Sequence, residues 1–163
     1  MPQNLSDHIE PSAHTYTQWL MLKNMPDAVI DILTNLHVSR PNRTCLVIVF
    51  PLGEATGHVS HEATSFAHRK ARYSVLLLGS ILDEDFSPAL FGKATKWVKD
   101  GAEALTPFAI GAMPTPCGRE DEKANQLELM RFNFGDHLPR LRALKSKWDP
   151  ENVFWSNCNV KPL

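Results

Sequence analysis

The sequence predicts an α+β fold of the split β-α-β (ferredoxin-like) type. In this arrangement a four-stranded antiparallel sheet carries two helices on one face, and a C-terminal helix and tail follow. Short β-branched or apolar runs alternate with segments of helical periodicity in the order β-α-β-β-α-β. The pattern has no internal repeat or low-complexity segment. A length of 163 residues suits one domain with its own core.

The first half of the chain contains three predicted strands and one helix. His14 to Leu22 is rich in Thr, Tyr and Trp, and Thr44 to Phe50 and Arg72 to Leu82 are short and β-branched or apolar, so each is predicted to be a strand. Pro26 to Val38 has helical spacing of its apolar residues. The polar, His-rich stretch from Gly53 to Arg69 is expected to leave the sheet at its edge or at a pocket mouth.

The second half begins with the clearest helix start in the chain. Ser87 can cap a helix whose first residue is Pro88. A short strand from Phe108 to Met113 and a last helix from about Asp136 to Lys147 are predicted after it. Two tryptophans lie on the apolar faces of these helices and are expected in the core: Trp97 and Trp148.

The domain boundaries follow from polarity. Residues 1–13 are polar and are expected to form a loose N-terminal segment before a single domain at 14–163. Residues 14–116 would hold the sheet and its helices, and residues 130–163 would form a C-terminal segment.

Both faces of the predicted sheet are apolar. Residues of both parities are apolar in the two inner strands, for example Leu46 and Ile48 against Val47 and Val49. A sheet with one solvated face would alternate, so both faces should be covered. Two helices can cover one face. The other is expected to meet the C-terminal segment, a second copy of the chain, another protein or a ligand pocket.

Composition excludes several classes of function. A net charge of −1 gives no electrostatic footprint for nucleic acid or an anionic membrane. The three cysteines are widely spaced, which indicates neither a disulfide framework nor a CxxC motif. The start of the chain has no signal-peptide pattern, and its longest apolar run is too short for a membrane span. A cytoplasmic protein is expected. The spacing of His58 and His61 could suggest a metal site, but the segment is interpreted as a solvated loop and no metal is predicted.

Three segments resemble a known family. Pro51 to Ala55, Ala63 to Arg69, and Lys147 to Phe154 with its Trp-Asp-Pro-Glu-Asn-Val-Phe run are similar to segments of the berberine-bridge-enzyme-like flavoprotein oxidases. The resemblance implies a truncated relative that matches the second half of the family's substrate domain and its C-terminal tail. It implies that the FAD-binding domain is missing and that no cofactor is bound.

The resemblance also suggests site residues. Ser74 stands where berberine-type members carry a glutamate base, and Asn157 and Asn159 match tail asparagines that lie near the flavin in full-length relatives. Ser74 is the candidate catalytic residue, as a hydrogen-bond donor to a substrate carbonyl, although a strand serine satisfied by backbone is an equal alternative. The candidate substrate-binding residues are Tyr16, Trp19, Leu76, Leu78, Met113, Thr115, Asn157 and Asn159.

The function expected from this resemblance is a cofactor-independent cyclase or isomerase. A pericyclase such as a Diels-Alderase of natural-product biosynthesis would need only an apolar small-molecule substrate held in a reactive fold. The alternative is a non-catalytic partner subunit that completes a separately encoded FAD-dependent oxidoreductase. A homodimer is expected under the first hypothesis, because it would cover the second sheet face.

Overall fold

The computed structural model describes residues 13–113, 126–155 and 159–163. Its four strands are β1 (Ala13–Leu22), β2 (Leu46–Pro51), β3 (Tyr73–Leu82) and β4 (Ala109–Ala112). They form one sheet in the order β2-β3-β1-β4, and each neighbouring pair is antiparallel. This is the strand order of the split β-α-β fold, so the predicted α+β class is confirmed.

The described residues form five α-helices: α1 (Asp27–Val38), α2 (Glu54–His58), α3 (Pro88–Leu105), α4 (Gln126–Phe134) and α5 (Leu138–Trp148). The short α2 and the whole of α4 were not predicted. A single 3-10 turn, Gly135–His137, joins α4 to α5. The described part of the chain has no helix long and apolar enough to cross a bilayer.

Helix α3 starts where its sequence predicts. The Oγ of Ser87 accepts a hydrogen bond from the backbone N–H of Leu90 at 3.2 Å, and Pro88 occupies the first turn. Trp97 is buried, as predicted, and its indole N–H donates to the carbonyl of Leu36 at 3.1 Å. That bond joins α3 to the end of α1 and satisfies the polar atom of the core tryptophan.

One sheet face packs against α1 and α3. Buried Leu20, Val75, Leu77 and Ile81 lie in this core. Gly79 of β3 faces the α3 backbone so closely that a Cβ there would stand 3.0 Å from the carbonyl oxygen of Ala94. The absence of a side chain at this position therefore lets α3 lie directly on the sheet.

Trp148 is not in the core, and that prediction was wrong. Its side chain is 74% exposed, and Leu144, one turn earlier, is also exposed. Helix α5 is anchored by buried Leu138 at its start and packs against α4 and the preceding 3-10 turn. Its last turns extend beyond that contact, so the apolar stripe continues onto a surface that no described residue covers.

The β4 edge is held by a contact that requires glycine. A Cβ on Gly111 would stand 1.9 Å from Cε1 of His68. The His68 ring therefore occupies the space above β4 that a side chain would fill. Its Nε2 is 2.9 Å from the backbone carbonyl oxygen of Asn133 in α4. The ring thus connects the 52–72 segment, β4 and α4.

We predict that Gly111→Ala lowers the free energy of unfolding by about 1–3 kcal/mol, because His68 must move and lose its hydrogen bond. Gly92→Ala is the matched control, since a Cβ at Gly92 meets nothing within 4 Å and lies in α3. The control should gain about 0.5–1 kcal/mol from helix propensity. Urea unfolding measures both, and equal changes in the two variants would refute the His68 contact.

Candidate functional site

The second sheet face, opposite α1 and α3, carries the candidate site. Residues paired across neighbouring strands point to the same face. Trp19 of β1 pairs with Leu76 of β3, and Leu76 pairs in turn with Ile48 of β2. Phe50 pairs with Ser74. These side chains therefore form one largely apolar surface that includes the Ser74 hydroxyl.

An aromatic stack spans this face. The rings of Trp19 and Phe50 are 5.5 Å apart between centroids and inclined by only 11°. Because the two residues come from the strands on either side of β3, their rings meet above β3. Ser74 and Leu76 beneath them are 2% and 6% exposed, while Trp19 and Phe50 are themselves half-buried.

The hydroxyl of Ser74 is buried and makes no hydrogen bond with any described residue. The interpretation of a strand serine satisfied by backbone is therefore not what the structure has. A buried hydroxyl without a partner costs about 1–3 kcal/mol and is uncommon in native proteins.

Three of the predicted substrate-binding residues share this face with Ser74: Trp19, Leu76 and Leu78. Met113 follows the end of β4 and is 39% exposed. Thr115 and Asn157 lie outside the described residues. The structure therefore brings the catalytic candidate together with the apolar candidates of β1 and β3, which are the two inner strands. The strand that contains Leu46 and Ile48 was expected to be an inner strand, but β2 lies at the sheet edge.

Tyr16 and Asn159 lie elsewhere. Tyr16 pairs with Gly79 on the helix face, where the Lys99 ammonium is 5.4 Å from its ring centroid. Asn159 is buried in the tail, and its Nδ2 donates to Oδ1 of Asn152 at 3.1 Å. Side chains alternate between the two faces along a strand, so Tyr16 and Trp19 of β1 lie on opposite faces of the sheet. Only Trp19 therefore shares a face with Ser74.

The His68-Arg69 pair fixes the segment that leaves the sheet between β2 and β3. Arg69 donates from Nη1 to the carbonyl of Thr56 at 3.1 Å and from Nη2 to Oγ1 of Thr64. Burial lowers the pKa of His68, which favours the neutral ring. A neutral ring can donate from Nε2 to the Asn133 carbonyl. Both side chains therefore help to hold this segment in place.

A cavity of about 650 Å³ lies where this segment meets β4. Its lining includes Lys23, His61, His68, Arg69, Lys70 and Asp136. The prediction that the His-rich excursion borders a pocket mouth agrees with this lining. Lys23 and Lys70 were not predicted as site residues. The adjacent cations Arg69 and Lys70 at the end of the His-rich segment were the sequence feature that could have indicated a cationic site.

The C-terminal tail presents a fixed apolar patch. Four side chains, each between 65% and 82% exposed, form what we call the tail cluster: Trp148, Val153, Phe154 and Trp155. Asp149 holds their turn, because its carboxylate accepts from the backbone N–H groups of Val153 and Phe154 and pairs with Lys145. The Lys145 hydrogen bond is the main reason that the pKa of Asp149 lies below its ordinary value.

Metal ligands do not cluster in the part of the chain that the structure describes, where no group of three His, Cys, Asp or Glu side chains could hold an ion. His61 and His137 approach each other, with ring centroids 4.3 Å apart, but they stack. Stacked rings do not direct their nitrogens at a common point.

Comparison with known proteins places these features in a family context. Residues 125–161 match the family model described as berberine and berberine like. An FAD-linked oxidoreductase of Dictyostelium discoideum is 26% identical over 136 residues, which are 83% of this chain and 28% of that protein.

Solved structures share the fold. The berberine-bridge-like protein number 28 of Arabidopsis thaliana superposes with a TM-score of 0.77 at 19% identity, over 94% of this chain and 35% of its own. The berberine bridge enzyme of Eschscholzia californica gives a TM-score of 0.69 at 20% identity, over 93% and 33%. The chain thus spans about a third of the length of the proteins it matches.

We predict that stability falls as the solution is acidified below about pH 6.5, the ordinary pKa of an unfolded histidine. The folded pKa of His68 is lower, so between the two values only the unfolded state takes up this proton. The contribution is complete above pH 6.5 and is lost as the pH falls through the folded value. Urea unfolding at several pH values measures the slope. His68→Gln should reduce it, exposed His58→Gln should not, and identical slopes would contradict the assignment.

Proposed function

We propose that this chain, a berberine-bridge-like protein, supplies the substrate-facing sheet of an FAD-linked oxidoreductase. The FAD would be held by a separate unit, which either another segment or another subunit provides. The observation that carries this proposal is the second sheet face, where the stacked rings of Trp19 and Phe50 are only partly buried. A surface of this kind is typical of an interface or a binding site.

The chemistry of the face fits a flavin. When bound by such a unit, FAD would accept a hydride from the substrate. The residues of this chain would do the rest: Trp19 and Phe50 offer flat apolar rings, while Leu76 and Leu78 exclude water from the sheet beneath. An apolar small molecule held against this wall would be oriented by shape, with the Ser74 hydroxyl as a polar contact.

The tail cluster supports the same proposal from a second surface. Phe154 is 82% exposed and Trp155 is 69% exposed on a turn held by Asp149. Exposed aromatic side chains on a rigid turn are suited to anchoring a protein contact, because little conformational freedom is lost on binding. We infer that this cluster docks on the FAD-binding unit.

The relatives favour this reading over a cofactor-free one. The protein of Dictyostelium discoideum is named as an FAD-linked oxidoreductase, and a similar sequence of Bacillus subtilis carries the same description. The matches cover 28% and 29% of those two proteins. The remainder of each relative is where an FAD-binding unit would be found.

A cofactor-independent cyclase remains a second candidate, with Ser74 as the observation in its favour. A buried, unpartnered hydroxyl on an apolar face can donate to a substrate carbonyl and stabilise developing negative charge. This function needs the Trp19 and Phe50 rings to part so that the substrate reaches Ser74, and it places the working protein in the cytoplasm as a homodimer. Turnover of a polyene by the purified chain without flavin, reduced by Ser74→Ala, would support it.

We predict that the tagged protein, isolated from the cells that make it, carries about one FAD per chain. The absorbance near 450 nm and the FAD released by acid measure this content. Phe154→Ser should lower the FAD content several-fold by weakening the docking contact. Val38→Ser is the matched control, because Val38 is 78% exposed on α1, which packs against the opposite sheet face, and should leave the content unchanged.

The two candidate functions are separated by the same measurement. Protein that carries no FAD in its native assembly would contradict the oxidoreductase proposal and leave the cyclase. Equal loss in the Phe154→Ser and Val38→Ser variants would contradict the role of the tail cluster alone.

A further inference from the structure

We propose that the cavity beside β4 is a second binding site, for a small organic molecule that carries an oxyanion group, either a carboxylate or a phosphate. Its volume of about 650 Å³ lies within the range of small-molecule sites, roughly 300–1,000 Å³. The cavity is separate from the Trp19 and Phe50 stack, because none of Trp19, Phe50 or Ser74 lines it. The inference does not rest on the proposed oxidoreductase function.

The lining is strongly cationic. Lys23, Arg69 and Lys70 face a single carboxylate, that of Asp136, although the chain as a whole has a net charge of −1. Within residues 13–113, 126–155 and 159–163, none of these three cations forms an ion pair. Like charges gathered in a concave site concentrate the field there and attract anions.

Arg69 is already oriented toward such a role. Its Nη1 and Nη2 donate to neutral oxygens of Thr56 and Thr64, so the position of the guanidinium is fixed while its charge is not neutralised. Its Nε is buried and makes no hydrogen bond with a described residue. A guanidinium that is already held in place loses little conformational freedom when it binds an oxyanion. Its planar set of N–H donors matches the oxygens of a carboxylate or a phosphate.

The remaining walls suit an organic body. Val59 and Ile110 are apolar and about 40% exposed where they line the cavity. The His61 ring stacks on His137, which is buried with its Nε2 unpartnered and which lines an adjoining cavity of about 160 Å³. Apolar and aromatic walls next to a cationic end favour a ligand with an apolar part and one anionic group.

Titration of the full chain with sodium phosphate and, separately, with sodium benzoate tests the site and distinguishes the two oxyanions. Sodium chloride keeps the ionic strength constant, and ¹H–¹⁵N NMR follows the amide signals. We expect saturable shifts confined to the lining, including the amides of Gly57, Ala67 and Lys70, with at least one of the two probes. The stronger probe identifies the anionic group.

Charge-removing variants assign the site. Lys23→Gln and Lys70→Gln should each weaken binding by about threefold, because each removes one partly exposed charge. Lys93→Gln on α3 is the matched control and should bind as the unchanged protein does. Retained amide dispersion shows that each variant is folded.

Three results would overturn the proposal. They are the absence of saturable shifts with both probes, the same shifts with chloride alone, and unchanged affinity in both the Lys23→Gln and Lys70→Gln variants. FAD content plays no part in this readout, so failure here is distinguishable from failure of the oxidoreductase proposal.

Discussion

The structure depends on one constraint: a four-stranded sheet carries apolar residues on both faces, and helices α1 and α3 pack against only one of them. Helices α1 and α3 bury the centre of one face around Leu77 and Val98. On the other face the central strand is shielded by its own neighbours, because Trp19 and Phe50 stack above Ser74. Ser74 and Leu76 are shielded from water, and the two rings themselves are only partly buried. The partly buried rings are the surface on which we propose that the FAD-binding unit lies.

The opposite end of the same face is closed by a different solution. There the His68 ring lies on Gly111 and bonds the α4 backbone, which seals the sheet edge with a neutral, buried histidine. The same segment continues into Arg69, whose guanidinium borders the cationic cavity. The segment between β2 and β3 therefore contributes His68, which joins β4 to α4, and the next residue, Arg69, which lines the cationic cavity.

Local signals explain most of what the sequence predicted correctly. The start of α3 at Ser87-Pro88 depends on residues that are adjacent in the sequence, and so does the β-branched composition of the strands. The order of the elements and the fold class could therefore be inferred. The exposed position of Trp148 could not be inferred from the sequence. An apolar stripe on a helix indicates a contact surface, but it does not indicate which part of a protein packs against it. The contact of His68 with Gly111 joins residues 43 positions apart, and no local pattern records it.

The central claim is that the Trp19 and Phe50 face lies against an FAD-binding unit. Hydroxyl-radical footprinting with mass spectrometry measures the modification of each ring in the native assembly and in the isolated chain. The account predicts that Trp19 and Phe50 become protected in the assembly, while the exposed Phe86 beside α3 is modified equally in both. Equal modification of Trp19 and Phe50 in the two samples would show that nothing covers this face and would contradict the account.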